Sequence, residues 1–306
     1  MTAVLVTVFA GLLLAGGPRL AGARWVSRAP GLALLVWQMI CAAVVVSIGV
    51  AGLTSVLHWD DTHDLMCSAW RLCLDALYGD HGRAAQAVAV AGAAVLAVTG
   101  ARLVEAAWRV QRADRARGRR VREVIRSVGS REPGLGATVL PSPEAAAYLV
   151  PGGHRDVVVT SGALRRLSPD ELRAVMAHEH AHASGRHYWL LRTARMLHRA
   201  FPRVPLFRLA EDQVHRLVEL HADDVAVRSA APLSLARALV TMAESRAAGP
   251  SSLAAAGGDA AERLERLLCP PAPLPGPAVR GAAAVAALLP LVPVLLAVAD
   301  RQVTLF

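Results

Sequence analysis

The stretch SPDELRAVMAHEHAHASG (residues 168–185) decides how this chain is organised. Ser168 is a preferred N-cap residue, Pro169 suits the first helical position, and Glu171 completes a capping box. Gly185 can adopt the left-handed conformation with which many helices end. The stretch therefore predicts a short helix with a defined start and a defined end.

This helix carries the motif His-Glu-x-x-His. His178 and His182 are four residues apart, so both imidazoles project from one face of the helix. Glu179 lies one step round, where its carboxylate can reach a water held by the two imidazoles. Such a group supplies two zinc ligands and the general base of a hydrolase. The alternative is a histidine-rich face turned to solvent. His180 points to the opposite side and is expected to be structural or exposed.

A third ligand is available in EDQVHRLVELHADDVAVRS (residues 211–229), whose apolar spacing predicts an amphipathic helix. His215, Glu219 and Asp223 lie on one line of this helix at steps of four. Glu219 would complete a set of two histidines and one glutamate for one zinc ion per chain, with water in the fourth position. Asp223 could orient a ligating imidazole. A solvated acidic face is the alternative for both carboxylates. Either His215 or His221 could line the cleft, but both are expected at the surface.

The sequences LSPDELRAVMAHEHAH (residues 167–182) and ELHADDVAV (residues 219–227) together resemble the membrane-bound gluzincin metallopeptidases. Within that group the chain is most similar to the BlaR/MecR-type antibiotic-sensor transducers, and HtpX-type proteases are close relatives. The resemblance covers roughly residues 145–228. It implies an edge strand beside the zinc helix that pairs with substrate. It also implies three zinc ligands and a catalytic base, namely His178, His182, Glu219 and Glu179.

Composition indicates a membrane protein rather than a soluble enzyme. The 306 residues are 54% hydrophobic with a net charge of +9, and the mean hydropathy is +0.40. Four apolar runs have the length of membrane helices. They cover roughly residues 3–20, 31–57, 84–107 and 279–299. The first run could instead be a signal peptide, although no positive charge precedes it. Pro290 and Pro293 are expected to kink the last run.

The charges in the loops predict the orientation of the spans. Arginines dominate the first loop and the start of the third, whereas aspartates dominate the second loop, residues 58–83. The positive-inside rule then places the first and third loops in the cytoplasm and both chain ends outside. We therefore expect a multi-pass protein of the bacterial inner membrane. It comprises three membrane helices (residues 1–108), a cytoplasmic metallopeptidase domain (109–278), and a fourth helix with a short tail (279–306).

Two further segments each have two readings. The arginine-rich residues 109–126 directly follow a membrane helix, so we expect contact with anionic lipid of the bilayer and no direct nucleic-acid binding. Cys67 and Cys73 lie in the predicted external loop, where they could form a disulfide or remain unpaired thiols.

The region around the zinc helix predicts a small sheet and a hairpin. Turn residues separate three predicted strands, at residues 137–140, 146–150 and 156–160. Tyr148 or His154 could touch substrate or take part in ordinary packing. Residues 187–209 could form a lid over the cleft or belong to the core. The group that stabilises the oxyanion beside zinc is not identified. The candidates are His187, Tyr188, His215, His221 and Arg228.

These observations predict a polytopic α-helical membrane protein with an inserted α+β, gluzincin-like zinc metalloprotease domain. We expect a regulatory signalling protease that cleaves a cytoplasmic protein or peptide, such as a BlaI/MecI-like repressor. The alternatives are an HtpX-like quality-control protease and a non-catalytic, zinc-binding membrane receptor or scaffold. Unlike the transducers, the chain carries no penicillin-binding domain after the fourth span, so drug sensing by that route is not expected. The oligomeric state does not follow from the sequence.

Overall fold

The computed structural model describes residues 2–57, 83–150, 156–247 and 257–304. Helices make up most of these residues. The predictions for Cys67, Cys73 and His154 fall outside these residues. In chain order the helices are α1 (Thr2–Ala21), α2 (Arg24–Arg28), α3 (Pro30–Leu57), α4 (Arg83–Val128), α5 (Ser161–Arg166), α6 (Pro169–Ser184), α7 (His187–Ala200), α8 (Pro205–Ala226), α9 (Pro232–Ala247), α10 (Gly257–Leu268), α11 (Gly276–Leu288) and α12 (Val292–Thr304).

Four helical segments among the described residues are long and apolar enough to cross a membrane, and they coincide with the four predicted spans. They are Ala3–Ala21, Pro30–Val56, Ala87–Val128 and Gly276–Asp300. In the last of them, a 3₁₀ turn at Leu289–Leu291 separates α11 from α12. The turn contains Pro290, which cannot donate a helical hydrogen bond, so the α-helix is interrupted at one of the two prolines where a kink was predicted. The chain is a membrane protein.

Helix α4 joins the third span to the peptidase region without a break. Its 46 residues extend for about 69 Å at 1.5 Å per residue, whereas about 20 residues suffice to cross the hydrocarbon core. The arginine-rich residues 109–126 are therefore the second half of the span helix. Most of their side chains are exposed, as expected for a basic segment next to a bilayer.

A mixed four-stranded sheet follows, in the order β1-β2-β4-β3. The strands are β1 (Ser130–Glu132), β2 (Ala137–Leu140), β3 (Ala147–Leu149) and β4 (Val157–Thr160). β2 pairs parallel with β4, while β1 and β3 are antiparallel edge strands. β2, β3 and β4 confirm the three predicted strands, the last two slightly shortened. β1 was not predicted because its sequence, Ser-Arg-Glu, has no apolar residue and is fully exposed.

The two faces of the sheet contact different helices. Val157 and Val159 of β4 pack with Val175 and Met176 of α6. Tyr148 lies on the other face, in a cluster with apolar residues of α4. Of the two roles open for Tyr148, the structure therefore supports packing. β3 remains at the edge of the sheet beside α6, where an extended chain could pair with it.

The largest hydrophobic core lies between the second span and the α7–α8 hairpin. Trp37 of α3 and Phe207 of α8 are both completely buried in it. Two polar contacts reinforce this packing. Gln38 Nε2 donates to the Leu190 carbonyl of α7 (3.2 Å), and an Arg102 guanidinium nitrogen donates to the Ala200 carbonyl at the end of α7 (3.4 Å). Residues 187–209 are thus part of the core and not a free lid.

Candidate metal centre

The helix that carries the His-Glu-x-x-His motif begins as predicted. The Ser168 hydroxyl accepts a hydrogen bond from the Glu171 backbone N–H, and the Glu171 carboxylate accepts one from the Ser168 N–H at 2.8 Å. This capping box fixes the first turn of α6, so the two histidines that follow are presented on a rigid element.

The end of α6 differs from the prediction. Gly185 has right-handed dihedrals (φ −75°, ψ −2°), and the left-handed residue is Arg186 (φ 51°). Position 185 instead has no room for a side chain, because a Cβ there would collide with the imidazole of His187. The glycine thus allows His187 to fold back against the end of α6.

Helices α6 and α8 bring the three predicted ligands together. The Nε2 atoms of His178 and His182 are 3.1 Å apart, and each lies 3.5 Å from an oxygen of Glu219. One ligand atom from each residue lies within 4.8 Å of the others, so the group could hold one metal ion. His178 is buried and the other two side chains are half-buried. Two imidazoles and one carboxylate form a donor set that suits zinc with one open position.

Glu179 lies between this group and the edge strand. Its carboxylate accepts a hydrogen bond from the backbone N–H of Leu149 in β3. Burial raises the pKa of the Glu179 carboxyl to about 7, although the nearby His178 acts in the opposite direction. A carboxylate with a pKa near neutrality can both accept and return a proton.

Asp223 lies behind His178, as the step of four from Glu219 predicted. Its Oδ1 is 2.9 Å from His178 Nδ1, a close contact that is not aligned as a linear hydrogen bond. Burial lowers the pKa of His178, but the contacts with Asp223 and Glu219 outweigh it and raise the pKa to about 9. By contrast, burial lowers the pKa of His182 to about 4.

Arg263 of α10 is the residue at the centre that the sequence did not reveal. Its Nε and Nη2 donate to the two oxygens of Asp223 at 2.7 and 2.8 Å, and its Nη1 lies 2.9 Å from Glu219 Oε2. Burial would raise the pKa of Glu219, but His178 and Arg263 outweigh it and lower the pKa to about 2. All 33 basic residues of this chain are arginines, so nothing distinguishes this one by type or spacing.

The other histidines that were considered as site candidates, and that the structure describes, divide into two groups. His180 and His215 are exposed, as expected for His180 from its position on the helix and for His215 as a surface residue. His221, which was expected at the surface, is half-buried because its Nδ1 lies 2.9 Å from Nε2 of the completely buried His187. His187 in turn places its Nδ1 2.9 Å from Nδ1 of His182.

Two other candidates for oxyanion stabilisation point elsewhere. The Tyr188 hydroxyl donates to Asp114 of α4 at 3.2 Å, and Arg228 is exposed beyond the last turn of α8. The three-residue cluster is instead contacted by Asp223, Arg263 and His187.

The comparisons with known proteins agree with this geometry. Residues 111–270, slightly more than half of the chain, match the profile described as peptidase family M48. The match begins within α4 and ends just after α10, so it includes the sheet, both helices of the ligand group and Arg263. No curated protein and no solved structure gives a significant match.

Proposed function

Because this chain belongs to peptidase family M48, whose members are zinc-dependent metallopeptidases, we propose that His178, His182 and Glu219 hold one zinc ion and that Glu179 is the catalytic base. The observation that carries this proposal is the convergence of the three ligand atoms from two separate helices, with Glu179 beside them. The family match makes the chain a metalloendopeptidase, so a non-catalytic scaffold is not proposed.

The chain's own residues can perform the proton transfers of peptide hydrolysis. Zinc at this centre would acidify a water and polarise the peptide carbonyl. Glu179 would accept a proton from the attacking water and deliver it to the leaving amine. The Leu149 N–H would orient the carboxylate of Glu179 during both transfers. Asp223, held by Arg263, would orient the imidazole of His178.

The edge strand β3 is the proposed binding site for an extended peptide. The bonds Val150 N–H to Asp156 C=O and Thr160 N–H to Ala146 C=O fix which residues of β3 pair with β4. By alternation, the backbone groups of Ala147 and Leu149 face the free edge. A peptide added to that edge would run past Glu179, because Leu149 contacts this carboxylate.

We propose that the peptidase domain, residues 109–278, faces the cytoplasm and cleaves a cytoplasmic protein such as a BlaI/MecI-like repressor. The arginine-rich half of α4 supports this side of the membrane. A quality-control protease acting on membrane proteins is the second candidate. It is supported by Gly31 at the start of the second span, which lies against His221, close to the ligand group.

The zinc and base assignments are tested with the full-length protein in detergent. The wild type should contain one zinc per chain, and His178→Ala, His182→Ala and Glu219→Ala should lose it. Glu179→Gln should retain zinc but lose at least about 10²-fold in peptidase activity. His180→Ala, at an exposed position of the same helix, is the control and should change neither property. Cleavage by Glu179→Gln at the wild-type rate would remove this residue as the base.

The substrate assignment is tested by comparing two kinds of protein. A single defined cut in a repressor, with unfolded membrane proteins left intact, supports signalling. Broad cleavage of unfolded chains supports quality control. Orientation is tested with Cys269, an exposed thiol next to the fourth span. In a variant that lacks the other cysteines, an impermeant maleimide should label Cys269 only after the inner membrane is permeabilised, and labelling of intact spheroplasts would refute a cytoplasmic domain.

A further inference from the structure

A row of imidazoles leads from the ligand group to the second span. His182 Nδ1 lies 2.9 Å from His187 Nδ1, and His187 Nε2 lies 2.9 Å from His221 Nδ1. His187 is only 1% exposed, so bulk water does not replace either contact. The rings meet edge to face, with centroids 4.8 and 5.1 Å apart.

The direction of these hydrogen bonds follows from the orientation of His182. Its Nε2 faces His178 and Glu219, so this nitrogen must be the one without a proton if it is to bind a metal. The proton then sits on Nδ1 and is donated to His187 Nδ1. His187 consequently carries its proton on Nε2 and donates it to His221 Nδ1. Each tautomer is fixed by the preceding one.

The two proposed histidine ligands are therefore supported in different ways. His178 has a charged carboxylate, Asp223, next to its second ring nitrogen. His182 has only a neutral hydrogen-bond acceptor, His187, at the equivalent place.

The row ends against the backbone of the second span. A Cβ built on Gly31, in the first turn of α3, would lie 3.1 Å from Cδ2 and 3.2 Å from Nε2 of His221. These distances are tighter than most contacts of a real Cβ atom, so a side chain at position 31 would require the His221 ring to shift by a few tenths of an ångström. The first turn of the span thus limits where the His221 ring can lie. Through the contact between His221 and His187, it also limits the position of His187.

We propose that His187 and His221 are positioning residues that hold His182 in its metal-binding tautomer and orientation, and that the first turn of the second span holds them in place. This inference rests on the proposed function, because it takes His182 as a zinc ligand. The inference goes beyond the proposed function because it makes the zinc affinity depend on the position of the first turn of a membrane helix.

The test compares two substitutions of His187 in the full-length protein. In His187→Asn the side chain can still offer an acceptor near the position of Nδ1, whereas His187→Leu fills the space without one. Zinc affinity is measured by competition with a chromophoric chelator, and thermal unfolding of the metal-free protein reports on packing. His187→Leu should weaken zinc binding by about 10- to 100-fold, and His187→Asn should recover most of this loss. His180→Leu is the exposed control.

A second pair of variants tests the role of the span. Gly31→Ala should weaken zinc binding by a smaller factor than His187→Leu. Gly49→Ala in the same helix, where a Cβ meets nothing within 4 Å, should leave the affinity unchanged. Equal effects of the two glycine variants would contradict the contact between the span and His221.

The remaining outcomes separate this inference from the proposed function. Equal weakening of zinc binding by His187→Asn and His187→Leu would show that His187 acts by packing, and unchanged affinity in both would show that it has no role. Either result overturns the inference alone. Wild-type zinc affinity in His182→Ala would overturn the ligand assignment, and with it both proposals.

Discussion

Replacing Arg263 tests how the charges of the centre are balanced. The Arg263 guanidinium is 13% exposed and is bonded through two nitrogens to Asp223, whose side chain is 5% exposed. Removing one partner of such a buried pair leaves an uncompensated charge and costs about 3 kcal/mol or more. We assign no additional cost to the contact with Glu219, since that carboxylate is 36% exposed and partly solvated.

The expected result of Arg263→Gln is a metal-free protein that unfolds roughly 6 °C or more below the wild type. Zinc should reduce this difference, because an ion with two positive charges held by His178 lies one imidazole away from the Asp223 carboxylate that has lost its guanidinium partner. The assay is thermal unfolding followed by intrinsic tryptophan fluorescence in detergent, after chelation and again with saturating zinc. It requires no substrate.

Arg216→Gln provides a matched control. Arg216 also joins α8 to α10, through a two-nitrogen contact with Glu262, but it does not touch the ligand group. The side chains of Arg216 and Glu262 are both more exposed than those of Arg263 and Asp223. Loss of the Arg216 contact should therefore cost less, and zinc should not alter that cost. Equal destabilisation by the two variants would contradict the reasoning. So would a difference between Arg263→Gln and wild type that zinc leaves unchanged.

Two other predictions concern protons at the centre. Zinc binding at pH 7.5 should release about one proton from His178, because the pKa of His178 is about 9 without metal and only the neutral imidazole binds zinc. Affinity should therefore weaken as the pH falls below 9. Calorimetry in buffers of different ionisation enthalpy measures the release, which should be about one proton smaller above pH 10 than in a titration in which His178 starts protonated. Leu149→Pro removes the N–H that favours the charged form of Glu179 without removing a bond to β4, so the acid limb of kcat/KM should move to higher pH, whereas Leu149→Ala should leave it in place.

Local patterns predicted the parts of the centre that depend on local structure. The capping box, the helical spacing of His178 and His182, and the step from Glu219 to Asp223 are properties of single helices, and the structure reproduces them. The four spans could also be predicted from the sequence, because a candidate span is recognised by its length and apolar composition alone.

The features that escaped prediction depend on which helices meet. Arg263 reaches Asp223 from a helix 40 residues further along the chain, and one arginine among many carries no local signal of such a contact. His221 lies on a helix whose polar positions were expected to face solvent, but α7 and the start of α3 cover it. At Gly185 the residue type was read as a conformational need, while the structure shows a steric one.

The core between the second span and α8 links the membrane to the metal centre. One face of α8 buries Phe207, Val214 and Leu217 in the cluster formed with α3. Another face of the same helix carries Glu219, which must reach across to His178 on α6. Because a helix is stiff over this length, a displacement of α3 that α8 follows would also move Glu219 relative to the two histidines. A displacement of the second span would therefore alter the geometry of the proposed zinc site, so this span is expected to contribute to that geometry as well as to anchoring.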